Sequence, residues 1–127
     1  MKFVLIDDSE PDRFLTRRVL ARQAPDAEIV EFASCIDAIE LVCTATEPLI
    51  VFLDINLPRM TGFEFLERVG SEIDERPVSI IILTSSSSLD DRRKAATYRC
   101  VDDHVEKPLS KNRLVEVLDA LGGGNPT

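Results

Sequence analysis

Short apolar runs alternate five times with amphipathic segments along this chain. We predict strands at the apolar runs, which cover residues 2–6, 28–32, 49–53, 78–83 and 101–105. Helices are predicted between them, from about 11 to 23, from 34, from 62 to 74, from 88, and from 110 to 121. The run at 49–53 is apolar throughout, which is typical of a strand covered on both faces. The last run is short and partly polar, which suits the edge of a sheet.

The regular alternation of strands and helices predicts an α/β domain. Such an order forms parallel β-α-β units with right-handed crossovers, so that helices cover both faces of one sheet. Ser9, Ser34 and Ser88 are expected to cap three of the helices, and Gly122 to end the last one. The predicted domain covers residues 1–121, and residues 122–127 are predicted to be a disordered tail. With 127 residues, we expect no separate output module.

The charge balance disfavours two classes of partner. The chain has 15 Lys and Arg against 23 Asp and Glu, for a formal charge of −8 and a pI near 4.6. This field opposes nucleic acids and anionic membranes, because both are held mainly through their phosphates. We therefore predict neither nucleic-acid binding nor membrane association.

The sequence also lacks the motifs of nucleotide-binding loops, paired cysteines and membrane helices. Only Gly62 and Gly70 precede the C-terminal glycines, so neither of the common glycine-rich nucleotide loops is present. The three cysteines have no CxxC spacing, which favours reduced, buried thiols. No run approaches the roughly 20 apolar residues of a membrane helix. We expect a cytoplasmic protein.

Polar side chains follow four of the predicted strands at the point where each strand ends. Asp7 and Asp8 follow the first strand, Asp54 the third, Thr84 the fourth and Lys107 the fifth. In a parallel sheet these ends share one edge, where ligands bind. Carboxylates about 4 Å apart repel by about 4 kcal/mol per pair at an effective dielectric constant near 20. A hard cation with oxygen ligands relieves that repulsion, and Mg²⁺ is the natural choice.

The same edge has the components of a phosphoryl site. Phosphoryl oxygens could be divided among the cation, the Lys107 ammonium and the Thr84 hydroxyl. Asp54 ends a buried strand and is therefore held rigidly enough to be a nucleophile. Each residue taken alone is more often a turn, cap or solvent-exposed residue than a site residue. Their occurrence at the ends of four different strands favours a common site.

Four segments in this order resemble the receiver domain of two-component response regulators. They are Val4-Leu5-Ile6-Asp7-Asp8, Asp54-Ile55-Asn56-Leu57-Pro58-Arg59-Met60-Thr61-Gly62-Phe63-Glu64-Phe65-Leu66, Ile82-Leu83-Thr84-Ser85 and Glu106-Lys107-Pro108. The resemblance extends from about Lys2 to Leu121. It implies a flavodoxin-like, doubly wound (βα)5 fold, with a five-stranded parallel sheet in the order 2-1-3-4-5.

The resemblance also implies a role for each residue of the site. Asp54 corresponds to the phosphoacceptor, and Thr84 and Lys107 correspond to residues that contact the bound phosphoryl group. The expected Mg²⁺ ligands are Asp7, Asp8, Asp54 and the backbone carbonyl of Asn56. Phosphorylation and dephosphorylation of its own aspartate would be the only catalysis, so the protein is not expected to be an enzyme in the usual sense.

A stand-alone signalling role follows from the same resemblance. The phosphoryl group would come from a histidine kinase or a histidine phosphotransfer protein. The signal would pass through the surface of the fourth helix, the fifth strand and the fifth helix to a downstream protein that the sequence does not specify. A homodimer is compatible with this role.

His104 departs from the pattern of the family. Many receivers have Tyr or Phe three positions before the lysine of the Lys-Pro pair, and that ring turns inward as the threonine moves. Here the position holds the only histidine of the chain, which we expect to be a half-exposed strand residue. As a switch residue beside Thr84, His104 would add pH sensitivity, because an imidazole titrates near pH 6.5.

Three alternative functions remain to be compared with the receiver hypothesis. An aspartate-nucleophile phosphatase would need a second acid at position 56, where Asn56 cannot transfer a proton. A flavin carrier would need a phosphate loop where Asp7 and Asp8 repel phosphate. The main alternative is an interaction scaffold that has the receiver fold and works without phosphorylation.

Overall fold

The computed structural model describes residues 1–85 and 88–122. Strands and helices alternate strictly, as predicted, and the element bounds agree with the sequence pattern to within one residue at most ends. The elements are β1 Lys2–Ile6, α1 Glu10–Gln23, β2 Glu28–Phe32, α2 Cys35–Cys43, β3 Leu49–Leu53, α3 Gly62–Ile73, β4 Val78–Thr84, α4 Leu89–Ala95, β5 Val101–Glu106 and α5 Lys111–Leu121.

The five strands form one parallel sheet in the order β2-β1-β3-β4-β5. The predicted fold is confirmed, with β3 at the centre and β5 at an edge. β4 and β5 extend slightly beyond their apolar runs, because Thr84 pairs with Glu106 and the Lys107 N–H donates to the Thr84 carbonyl at 2.9 Å. The ladder therefore carries Thr84 and Lys107 to the same edge of the sheet.

Alternate side chains of the strands enter two separate cores. One core lies between the sheet and the helices α2 and α3, and it includes Val51, Leu53 and Phe65. The other lies between the sheet and the helices α1 and α5, and it includes Phe52, Leu20 and Leu114. All five residues of β3 are buried, because both faces of this strand are covered.

Hydroxyl side chains cap the start of every described helix. The predicted caps Ser9, Ser34 and Ser88 are confirmed, since each side chain accepts a hydrogen bond from a backbone N–H in the first turn. Ser110 caps α5 in the same way. Thr61 and Glu64 form a full capping box at the start of α3, which places that helix directly behind the end of β3.

Within the described ranges, no helix is long and apolar enough to cross a membrane. Gly122 is the C-cap of α5, as predicted. The predicted tail beyond it, residues 123–127, lies outside the described residues. The domain limits of 1–121 therefore stay a prediction.

Candidate functional site

The carboxyl ends of four strands bring the predicted site residues to one edge of the sheet. Ile6 pairs with Leu53, so Asp7 and Asp54 lie side by side one position further on. Asp7, Asp54 and Thr84 are buried, although each is polar. We call the group Asp7, Asp8, Asp54 and Lys107 the acidic edge.

The three aspartates of the acidic edge are close enough to share a cation. Asp7, Asp8 and Asp54 each offer one carboxylate oxygen, and these three atoms lie within 4.8 Å of one another. Two of the carboxylates are buried and Asp8 is exposed, so a bound ion would keep access to water. Such an all-oxygen set, open on one side, fits a hard divalent cation such as Mg²⁺. The three aspartates therefore fit the predicted ion.

Lys107 is the cation that the protein itself supplies to this edge. Its Nζ atom lies 2.6 Å from Asp7 Oδ2, 2.9 Å from Asp12 Oδ2 and 3.1 Å from Asp54 Oδ2. These are charge-assisted hydrogen bonds in a region with little solvent, where they are stronger than in water. Lys107 thus joins α1, β1 and β3 to the end of β5.

The ionisation of both partners reflects this arrangement. Burial raises the pKa of Asp7, and this effect exceeds the opposite effect of its hydrogen bonds to Lys107 and Ser9. Burial acts to lower the pKa of Lys107, but its hydrogen bonds to Asp7, Asp12 and Asp54 raise that pKa overall. At neutral pH Lys107 is therefore an ammonium. Keeping the buried Asp7 carboxyl group ionised beside it costs free energy.

The Asp54 carboxylate has one oxygen fixed and the other turned toward Lys107. Its Oδ1 accepts a hydrogen bond from the Asn56 backbone N–H at 3.1 Å, while Oδ2 faces the ammonium. The Asn56 side-chain amide donates to the Thr84 hydroxyl at 3.5 Å. The Asn56 side chain thus links the loop that follows Asp54 to Thr84 at the end of β4.

Gly62 holds the start of α3 against the backbone that follows Asp54. A Cβ atom at this position would lie 2.6 Å from Ile55 Cα and 2.7 Å from the Asp54 carbonyl oxygen. Both distances are shorter than van der Waals contact allows. Glycine is therefore required at this position, and α3 supports the loop that carries Asp54 and Asn56.

Two residues of the site were missed by the sequence reasoning. Asp12, in the first turn of α1, is the third partner of Lys107. Arg13 donates to the Asp7 carbonyl at 2.6 Å and to Glu31 at 3.0 Å. Asp12 follows Asp8 by four residues and Ser9 by three, and this spacing at a helix start is the only sequence signal for its position.

His104 lies on β5 opposite Ile82 and is half-buried, as expected. Both ring nitrogens are buried, and within the described part of the chain neither has a hydrogen-bond partner. Burial and the nearby Arg92 guanidinium lower the pKa of His104, while Asp91, Asp103 and Glu106 act in the opposite direction. The ring is therefore neutral at pH 7, and its role as a switch residue stays a prediction.

Comparison with known proteins identifies the family. A family model described as the response regulator receiver domain matches residues 3–119 of this chain. The chain belongs to this family. The match covers the five strands except for Lys2, and α5 up to Asp119, and it includes every residue of the acidic edge.

Two relatives and one solved structure illustrate the range of receiver proteins. The chain is 29% identical over 114 residues to the cyclic di-GMP phosphodiesterase response regulator RpfG of Xanthomonas campestris, covering 90% of this chain and 30% of that protein. It is 27% identical over 126 residues to a chemotaxis protein CheY homolog of Campylobacter jejuni, covering 98% of this chain and 95% of that protein. A two-component response regulator from Cytophaga hutchinsonii superposes with a TM-score of 0.82 at 26% identity, covering 96% of each chain.

The coverage differs strongly among these receiver relatives. The chain spans 30% of the length of RpfG and 30% of a protein-glutamate methylesterase from Thiobacillus denitrificans, to which it is 32% identical. It spans nearly the whole length of the chemotaxis homologue. The receiver domain is the part that all of them share with this chain.

Proposed function

We propose that this protein is a response regulator that accepts a phosphoryl group on Asp54. The observation that carries the proposal is the contact of 3.1 Å between Lys107 Nζ and Asp54 Oδ2 inside a group of carboxylates suited to a divalent cation. The match of residues 3–119 to the receiver family supports the same proposal.

In the proposed reaction an oxygen of the Asp54 carboxylate attacks the donor phosphorus. A P–O bond forms as the bond from phosphorus to the donor nitrogen or oxygen breaks, and the electron pair of that bond leaves with the donor. Lys107 and Thr84 would hold the phosphoryl oxygens. A magnesium ion held by Asp7, Asp8, Asp54 and the Asn56 carbonyl would neutralise the charge that develops on those oxygens.

The test is Mg²⁺-dependent labelling by acetyl phosphate, followed by the intact mass of the protein. The wild type should gain one phosphoryl group, and Asp54→Asn should gain none, because its amide is not a nucleophile. Asp37→Asn is the matched control, since Asp37 is exposed on α2, and it should label like the wild type. Equal labelling of Asp54→Asn would place the acceptor elsewhere. An unlabelled wild type would favour the phosphorylation-independent scaffold.

The exposed face of α1 is the proposed docking surface for the phosphodonor protein. Phe14 and Leu15 are 46% and 49% exposed, which is unusual for large apolar residues. The guanidinium groups of Arg17 and Arg18 lie 5.5 and 5.7 Å from the centre of the Phe14 ring. An apolar centre with a cationic border is suited to a helix of a histidine kinase or a histidine phosphotransfer protein.

Charge reversal tests this docking surface. Arg17→Glu with Arg18→Glu should slow phosphotransfer from a histidine phosphotransfer protein that labels the wild type, while labelling by acetyl phosphate stays unchanged. Arg92→Glu with Arg93→Glu, on the exposed part of α4, is the control. Equal phosphotransfer rates for the α1 variant and the wild type would reject this surface.

We also propose that phosphorylation changes the surface formed by α4, β5 and α5. Phosphorylation adds about −1.5 to −2 charges beside Thr84 and Lys107, which end β4 and follow β5. Their movement toward the phosphoryl group would displace the elements that follow them. Amide chemical shifts with and without beryllofluoride, a phosphoryl mimic, should change at His104 and along α4. Changes confined to the acidic edge would reject this step.

A further inference from the structure

All three hydrogens of the Lys107 ammonium have acceptors in this structure. An ammonium group can donate three hydrogen bonds and can accept none. The carboxylates of Asp7, Asp12 and Asp54 lie at 2.6, 2.9 and 3.1 Å from Nζ, one for each hydrogen. Phosphorylation of Asp54 turns its carboxylate into an acyl phosphate, so one phosphoryl oxygen can take over the Asp54 contact with Lys107. A second hydrogen bond from Lys107 to the phosphoryl group forms only when Asp7 or Asp12 gives up its contact.

The three carboxylates differ in how easily they return to water. The side chains of Asp7 and Asp54 are 10% and 9% exposed, whereas that of Asp12 is 41% exposed. A buried carboxylate that loses its partner costs much more free energy than an exposed one, which water solvates again. Of the two carboxylates that stay charged after phosphorylation, Asp7 and Asp12, Asp12 is thus released from Lys107 at the lower cost.

The position of Asp12 in α1 also stabilises its carboxylate after release. Its backbone N–H donates to the Ser9 hydroxyl at 3.3 Å, which fixes the residue in the first turn of the helix. An acidic side chain at that place interacts favourably with the helix dipole. The released side chain would remain beside the site and could return to Lys107 when the phosphoryl group leaves.

We propose that Asp12 is a positioning residue that competes with the phosphoryl group for Lys107. In the unmodified protein, Asp12 keeps the Lys107 ammonium between Asp7 and Asp54. In the phosphorylated protein, it weakens the interaction between Lys107 and the phosphoryl group. This inference rests on the proposed function, because it concerns the regulation of the same site.

Binding of beryllofluoride at saturating Mg²⁺ tests the competition. Asp12→Asn should bind beryllofluoride about two- to fivefold more tightly than the wild type, the range expected from the loss of one partly exposed ion pair. Its affinity for Mg²⁺ alone should not rise, because a negative charge near the cation is lost. A purely structural role would weaken both ligands together. Asp12→Gln should change both affinities in the same directions as Asp12→Asn.

Glu10→Gln is the matched control, since it removes one charge from the same exposed turn of α1 without touching the three partners of Lys107. It should alter the beryllofluoride affinity by less than Asp12→Asn does. An unchanged or weaker affinity for Asp12→Asn, or an equal gain for Glu10→Gln, would overturn the role of Asp12 and leave the proposed function intact. A wild type that binds no beryllofluoride would overturn both.

Discussion

The acidic edge and the region of α4 and β5 differ in how firmly their polar side chains are held. Lys107 donates to three carboxylates at the acidic edge. On β5, the ring nitrogens of His104 have no hydrogen-bond partner among the described residues. Ala95 is the one buried side chain of α4. The first region has the rigidity that phosphoryl chemistry needs, and the second has the weak anchoring that a change of surface needs.

A cluster of side chains from α3 and the end of α4 limits how far α4 can move. The rings of Phe63 and Tyr98 stack with centres 6.1 Å apart, and the Tyr98 hydroxyl donates to Glu67 at 2.6 Å. Lys94 Nζ lies 4.6 Å from the centre of the Phe63 ring. Burial and the hydrogen bond to Glu67 raise the pKa of Tyr98 to about 12. The C-terminal end of α4 is therefore tied to α3, so we expect movement mainly at its N-terminal end.

The largest effect on the rigid region is expected from Gly62→Ala. The added methyl group would overlap backbone atoms behind Asp54. We expect the free energy of unfolding to fall by about 2–3 kcal/mol and labelling of Asp54 to fall with it. Gly70→Ala is the control, because its Cβ would meet nothing closer than Cys100 Sγ at 4.0 Å. Urea unfolding should show that this control is as stable as the wild type or more so, and equal losses for both variants would contradict the packing role of Gly62.

Lys107→Ala should show how far the acidic edge depends on its internal cation. Without the ammonium, the buried carboxylates of Asp7 and Asp54 lose a partner, and we expect a loss of about 1–3 kcal/mol in Mg²⁺-free buffer. Added Mg²⁺ should stabilise this variant more than it stabilises the wild type. Lys111→Ala, on the exposed start of α5, should differ from the wild type by less than about 0.5 kcal/mol. Equal stabilisation by Mg²⁺ in the two variants, measured by thermal unfolding, would contradict the shared site.

Tyr98→Phe should loosen α4 without affecting the acidic edge. The loss of the hydrogen bond to Glu67 should cost about 1 kcal/mol of unfolding free energy. A double-mutant cycle with Glu67→Ala, which removes the acceptor, isolates that bond, and additive effects of the two changes would show that it contributes nothing. Labelling of Asp54 by acetyl phosphate should stay at the wild-type rate.

The smallest effect is the pH dependence that His104 contributes. Burial and the nearby Arg92 hold the pKa of His104 in the folded protein below its ordinary value of about 6.5, so the unfolded chain takes up the proton first as the pH falls. The stability contributed by the neutral ring is present above that value and is lost as the pH falls through the folded pKa. Urea midpoints at about pH 7.5 and about pH 5.5 should therefore separate more for the wild type than for His104→Gln. Equal separation would mean that the ring titrates alike in both states.

The fold could be predicted from the sequence because the residues that mark each strand and helix lie within that element or next to it. Each strand is a short apolar run, and serine or threonine caps mark where the helices begin. Parallel strands place their carboxyl ends at one edge, so Asp7, Asp54 and Lys107 could be brought together without coordinates. The apolar run that ends in Asp54 identified the buried acid directly.

The details that sequence reasoning missed depend on packing between distant segments. Asp12 and Lys107 are 95 residues apart, and their contact depends on how α1 lies against the end of β5. Within the described part of the chain the His104 ring nitrogens have no hydrogen-bond partner, and this likewise depends on the side of the sheet that α4 covers.

The acceptor role of Asp54 is tested most directly by locating the modified residue itself. Borohydride reduces an acyl phosphate on aspartate to homoserine, so the phosphorylated protein can be reduced, digested and mapped by mass spectrometry. We predict homoserine at position 54, formed only when Mg²⁺ was present during labelling. Homoserine at another aspartate, or labelling that resists reduction, would contradict the proposed site.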